Sequence, residues 1–238
     1  MKIDIVTIFP SFFNEFIKTS IVKRAIEKEL VEINIYDLRD YSENKHKQID
    51  DTPYGGGVGM LMTFPPFYRI IKKLKQDDTK VILLSPQGKL FNQKVANEII
   101  TETKHIVLLC GHYEGIDARV EELIDLELSI GNYVLTGGEI PAMVISDTII
   151  RLIPNVIMEE SHKTDSLENN RLKYPQYTKP ESFEGYEVPN VLLSGHHENI
   201  DLYRKKMQII QTQKKRPDLI EKDPLSEEEK IILEKNIK

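Results

Sequence analysis

Three stretches of the chain carry an apolar run into small or polar residues: Leu84-Ser-Pro-Gln-Gly88, Leu109-Cys-Gly-His-Tyr-Glu-Gly-Ile116 and Ile130-Gly-Asn-Tyr-Val-Leu-Thr-Gly-Gly-Glu-Ile-Pro141. These residue types suit binding. Glycine permits positive φ and close approach to main chain, and exposed N–H and C=O groups can receive a flat ligand. In an open parallel sheet, ligands sit outside the carboxyl ends of strands, so three such loops can share one pocket. Leu84, Pro86, Tyr133 and Leu135 would be its walls. After the third loop, Pro141 fits a first helical turn, and Ile140, Met143, Val144 and Ile150 recur near helical spacing as a face to bury. Ser146, Asp147 and Arg151 fall on or near the other face, so the helix carries a guanidinium. An ordinary strand–turn–helix corner explains the same spacing.

Other chemistries lack their signatures. No G-x-G-x-x-G follows a strand, and Gly88-Lys89 is followed by Leu90, which breaks the phosphate-loop pattern. The run from Gly55 to Gly59 has no Lys-Ser/Thr after it and reads as a flexible or substrate-ordered loop. His46, His105, His112, His162, His196 and His197 show no helical pairing with acids that would ligate a metal; His196-His197 after Gly195 reads as a turn. No G-x-S-x-G elbow is present. The single cysteine, Cys110, excludes an intrachain disulfide and suits a reducing, cytoplasmic setting. At the end of the apolar run from Ile106, it reads as a small buried hydrophobe rather than a reactive thiol.

The elements that must position these loops alternate. Ile3 to Ile8 reads as a strand stopped by Pro10, Ser11 onward as a helix, and Ser20 to Lys28 as another. Val31, Ile33 and Ile35 alternate as a second strand. Pro65 starts a helix towards Lys75, followed by a strand at Val81 to Leu84, a helix at Asn92 to Ile100, the Ile106 strand, and a helix at Asp117 to Ile124. Short apolar strands separated by helices predict an α/β fold on a parallel sheet. Between Glu159 and Pro180, hydrophobic residues thin out and polar residues and prolines accumulate, as in a linker. Beyond it, Asn199 can cap a helix built on Ile200, Tyr203, Met207 and Ile210, and Ser226 with Glu229 has capping-box spacing.

The 238 residues are 40% hydrophobic and 29% charged, a soluble globular balance, and no apolar run reaches the length of a membrane span. Met1 to Pro10 is too interrupted to be a secretory apolar segment. The net charge of −6 argues against a polyanion partner, yet Arg204, Lys205, Lys206, Lys214, Lys215 and Arg216 crowd one stretch with only Asp201 opposing them nearby. That stretch is either a solvated helix face or a phosphate contact.

With these residues in view, the chain resembles a known family. Asp51-Thr-Pro-Tyr-Gly-Gly-Gly-Val-Gly-Met-Leu-Met62, the Leu84–Gly88 loop, Gly111-His-Tyr-Glu-Gly-Ile-Asp117, Ser129 to Glu139 and Val188-Pro-Asn-Val-Leu-Leu-Ser-Gly-His-His197 look like the bacterial tRNA (guanine-N1)-methyltransferases of the TrmD family, SPOUT superfamily. The match spans about the whole chain. It implies a parallel-sheet SPOUT domain over 1–160, with a deep trefoil knot at about 83–158, a linker at 161–178 and a small, mainly helical tRNA-binding domain at 179–238. It also implies an obligate homodimer with a shared active site, tRNA as substrate, and S-adenosylmethionine as methyl donor, with Mg²⁺ as an optional assistant. The product would be 1-methylguanosine immediately after the anticodon, where another guanine precedes it.

The resemblance also assigns residues. The donor would lie against Leu84, Ser85, Pro86, Gly111, Tyr113, Glu114, Ser129, Ile130, Gly131, Tyr133, Leu135, Gly137, Gly138 and Pro141. Gly59 and Ser166 would meet the target nucleotide, and Arg204, Lys205, Lys214, Lys215 and Arg216 the tRNA backbone. Asp165 would be the base that takes the proton from N1, and Arg151 the cation that holds the charge moved to O6. An exposed Asp with a pKa of about 3.9 is a weak base for this proton. The assignment therefore needs Arg151 to stabilise the anionic guanine, burial around Asp165, or both. The competing structural roles are an i,i+4 pair of Arg151 with Asp147, worth about 0.2–0.5 kcal/mol, and a cap or loop role for Asp165. Three positions depart from the family pattern: His112 replaces an Arg and removes a cationic contact, Leu83 replaces a Tyr in the pocket wall, and Lys173-Tyr-Pro-Gln176 replaces a stretch with an acid and a His. The other readings of the same residues are a SPOUT enzyme acting on ribose 2′-oxygens or ribosomal RNA, and a non-catalytic RNA-binding module.

Overall fold

The computed structural model describes residues 1–157, 165–167 and 169–235, in two compact units, Met1–Glu159 and Glu160–Lys238. The first unit is built on a five-stranded sheet of β1 (Lys2–Thr7), β2 (Glu32–Asp37), β5 (Thr79–Leu90), β6 (His105–Cys110) and β7 (Leu126–Ser129). The order is β2-β1-β6-β5-β7 and every pairing is parallel. The two short strands β3 (Asp50–Asp51) and β4 (Leu61–Met62) pair separately, antiparallel.

The period-two pattern divides the strand residues between two cores. Ile3, Ile5, Ile82, Leu84, Ile106, Leu108 and Cys110 face one side, where they meet residues of α1 (Ser20–Glu27), α3 (Gln93–Glu102) and α4 (Glu139–Leu152). Val6, Val81, Leu83, Val107 and Leu109 face the other, with Phe67, Ile70 and Ile71 of α2 (Phe64–Leu74) and Val120. A parallel sheet covered on both faces needs strands that are apolar at nearly every position, and β6 is buried throughout. A buried polar cluster sits at its amino end: Asp4 lies 2.8 Å from His105 Nε2, and His105 Nδ1 lies 2.8 Å from Thr79 Oγ1.

Several elements differ from the sequence-based expectation. The helix expected from Ser11 is two 3-10 turns, Pro10–Phe13 and Phe16–Lys18, and the one at Asp117–Ile124 is a 3-10 run over Ala118–Leu123. The strand expected at Val81–Leu84 runs from Thr79 to Leu90 with a break in register between Leu84 and Lys89. The apolar run that leads into the third loop is the strand Leu126–Ser129, and Tyr133–Leu135 lies in the loop itself. In α4 the buried face holds Ala142, Ile145, Ser146, Ile149 and Ile150, while Ile140 and Val144 are 42% and 41% exposed. The apolar residues of α4 outnumber what one face can bury, so periodicity alone mis-set its rotation.

The second unit contains a short hairpin, Ser182–Phe183 with Tyr186–Glu187, and helices Asn190–Leu193, His197–Lys215, Pro217–Lys222 and Glu227–Glu234. The long helix starts at His197 with His196 at its cap, not at Asn199. Ser226 and Glu229 form the expected capping box. Ile209, Leu219 and Ile232 are buried. With them lies Arg171, whose guanidinium reaches both carboxylate oxygens of Glu229 at 2.8 and 3.0 Å and Asp223 at 3.3 Å. This contact holds the Glu229 carboxyl below the usual carboxylate range. Of the linker expected at 161–178, residues 161–164 and 168 lie outside the described residues.

The Tyr203 hydroxyl is pushed up to about 12, first by burial and then by its hydrogen bond with Tyr177. A folded pKa above the unfolded value of about 10 means that this contribution is whole below pH ~10 and is lost as pH rises towards ~12. Tyr203→Phe should therefore flatten part of the fall in melting temperature over that window. Parallel alkaline slopes in wild type and variant would contradict it.

Candidate functional site

The carboxyl ends of the parallel strands open into a cavity of about 360 Å³. All fourteen positions named above for the donor, from Leu84 to Pro141, line it. Three approaches of main chain to main chain make this possible. Gly138 N donates to Gly111 O at 3.0 Å, joining the end of β6 to the start of α4. A Cβ on Gly138 would lie 2.6 Å from Cys110 Cα, and one on Gly88 would lie 2.5 Å from the carbonyl carbon of Glu127. Neither neighbour is a flexible side chain, so no other residue fits without moving backbone.

The third loop folds on itself. Ser129 Oγ donates to Gly131 O at 3.0 Å, Tyr133 N donates to the same carbonyl at 3.0 Å, and the Tyr133 ring packs over Gly131. The second loop turns at Tyr113 (φ 59) and Gly115 (φ 123), and is tied to the glycine-rich loop by Glu114 N to Met60 O and Met62 N to Gly115 O, both 3.0 Å. Gly59 lies outside the cavity lining but against Glu114, whose Oε1 would stand 2.7 Å from a Cβ there. Leu83 also forms part of the wall. Glu114, Asp117, Glu121 and Glu127 give the lining an acidic bias.

Beneath these loops sits a carboxylate that sequence reasoning did not assign. Glu139, only 3% exposed, accepts from Thr7 Oγ1 at 2.6 Å and lies 2.6 Å from His112 Nε2. Because an ionised carboxylate only accepts, the ring proton is assigned to Nε2. Phe9 closes on the edge of the His112 ring, centroids 5.0 Å apart. Thus His112 does not simply remove a cationic contact; it ties the second loop to the first turn of α4 and to the end of β1. The signal was there as an acid in a helix's first turn directly after two glycines. Burial and the Glu139 charge push the Cys110 thiol well above its ordinary value.

Arg151 stands exposed in the last turn of α4, in the first unit. Asp165 belongs to the second unit, where its Oδ1 accepts from Lys173 Nζ at 3.0 Å; Ser166 Oγ accepts from Lys173 N at 2.9 Å. The basic stretch is more balanced than the sequence suggested. Arg204 lies 3.6 Å from Asp201, Lys205 3.7 Å from Glu228, and Arg216 2.7 Å from Asp218, while Lys214 and Lys215 end the helix as exposed cations. Glu228 and Asp218 come from neighbouring helices, which proximity in sequence could not reveal for Glu228. Among the described residues, no group of three or more His, Cys, Asp or Glu could hold a metal ion, and no helix is long and apolar enough to cross a membrane.

The family model described as tRNA (Guanine-1)-methyltransferase TrmD matches residues 1–222. The chain belongs to that family. It is 58% identical over 235 residues to the tRNA (guanine-N(1)-)-methyltransferase of Acholeplasma laidlawii, covering 99% of this chain and 97% of that protein. It is similar to proteins of the same name from Phytoplasma australiense (54% identical, 98% and 96% covered) and Dictyoglomus turgidum (52% identical, 98% and 96% covered). Cys110, at the end of β6, is fully buried. In the folded chain Cys110 should resist a maleimide probe and label only on denaturation; rapid labelling of the native protein would contradict its burial.

Proposed function

We propose that this chain methylates N1 of the guanine immediately 3′ of the anticodon, where a guanine precedes it, using S-adenosylmethionine. The observation that carries the reading is the single cavity in which main chain from three loops and fourteen donor-assigned residues come together. The residues fit such a donor: a flat base can lie between the apolar sides of Leu84, Pro86, Tyr133 and Leu135, all of which line the cavity. The acidic lining suits a ligand carrying positive charge. When bound, the donor supplies a methyl group to N1 and keeps the bonding electron pair on sulfur.

The chain's own residues do the rest. Guanine N1 is a poor nucleophile until its proton leaves, and the Asp165 carboxylate takes that proton. The Arg151 guanidinium, a planar donor fork, holds the charge that moves to O6. Gly59 and Ser166 meet the target nucleotide, and Arg204, Lys205, Lys214, Lys215 and Arg216 the sugar-phosphate backbone. Exclusion of water from the cavity favours transfer between opposite charges. By its family resemblance, the chain would thread the three loops into a trefoil knot and act as a cytoplasmic homodimer whose partners complete each other's site. Exposed Val134, in the cavity lining, with Ile140 and Val144 on α4 supply an apolar surface for that contact.

Asp165→Asn should leave sinefungin affinity within about threefold while slowing single-turnover tRNA methylation by about a hundredfold. A variant that methylates at the wild-type rate would remove Asp165 from the mechanism.

A further inference from the structure

The turn that bears Asp165 is closed by three contacts between its limbs. Leu167 N donates to Arg171 O at 2.8 Å, Lys173 N donates to Ser166 Oγ at 2.9 Å, and Lys173 Nζ donates to Asp165 Oδ1 at 3.0 Å. The side chains of Lys173 and Asp165 are 24% and 29% exposed, so this pair is better shielded than an ordinary surface one.

The second limb is fixed to the helices at successive points. Arg171 is buried against Glu229 and Asp223, and Leu172 N donates to Thr212 Oγ1 at 2.8 Å. Tyr174 lies under the Arg204 guanidinium, 5.2 Å from ring centroid to Cζ, and Tyr177 hydrogen-bonds Tyr203. Lys173 therefore reaches back to Asp165 from a strip of chain that the long helix 197–215 and the last helix hold in place. On the first limb, Leu167 (φ 75) and Asn170 (φ 57) turn the chain through left-handed backbone, and Asn170 Nδ2 donates to Asp223 Oδ2 at 3.3 Å.

We propose that Lys173 is a positioning residue for methyl transfer, clasping the Asp165 carboxylate to a mount made by Arg171 and the C-terminal helices. The inference rests on the reading of Asp165 as the base. It gives the C-terminal unit a second task besides gripping tRNA: the unit that holds the substrate also presents the group that deprotonates it. A general base works only within hydrogen-bonding reach of the proton it takes, and a small misplacement is costly. A clasp on the same body as the tRNA-binding helix keeps base and substrate in register whenever that body moves.

The test uses the full-length chain and a tRNA transcript in single turnover, with donor and tRNA saturating. Lys173→Met should slow methylation at least about tenfold, with tRNA and sinefungin dissociation constants moved by less than about twofold. Lys173→Arg, which keeps a cation within reach, should recover most of the rate. Wild-type turnover in Lys173→Met beside a crippled Asp165→Asn would overturn the clasp and leave the base intact. Wild-type turnover in Asp165→Asn would overturn the base itself. A Lys173→Met variant whose tRNA affinity falls in step with its rate would make Lys173 a phosphate contact and overturn the positioning role.

Discussion

Main chain passing main chain with no side chain between them is the constraint on which the site depends. At Gly138 the start of α4 rests on the last residue of β6, and at Gly88 the far end of β5 rests on β7. A methyl group at either place would displace backbone that belongs to a strand or a helix. Those two approaches bring the loops close enough to share one cavity. Glu139 then secures the arrangement from below, tying Thr7, His112 and the α4 start through one buried carboxylate. A buried charge is tolerated because both of its oxygens have partners.

Much of this was legible from residue types. Glycines at the ends of apolar runs marked the three loops, strand alternation placed β1 and β2, and the continuous apolar run from Ile106 placed β6. What could not be read was local geometry set by distant partners. Periodicity in α4 chose Ile140 and Val144 for burial, but the sheet buries Ala142, Ile145 and Ser146 instead, because an apolar helix offers more than one plausible face. The Ser11 and Asp117 segments carried helical spacing yet close as 3-10 turns, too short to sustain an α-helix. Glu139 and Lys173 look like ordinary charged residues in sequence. Their partners lie 27 and 8 positions away, and only the folded chain brings them together.

The two units divide the electrostatics. The cavity in the first is lined by four acids, while the cations assigned to tRNA lie in the second, several already balanced by Asp201, Glu228 and Asp218. Exposed pairs of this kind exchange readily for phosphate, since each is worth little in water. The buried Arg171 network is of another sort: its guanidinium is almost fully enclosed, and its partners belong to the final helix and the turn before it. It holds structure, whereas the exposed pairs remain available for binding.

The proposed methyl donor would lie where the three loops meet. A crystal of the chain soaked with sinefungin measures this directly. The analogue is expected between Tyr133 and the Gly111–Gly138 contact, its base against main chain. Density for the analogue elsewhere, with that cavity left empty, would contradict it.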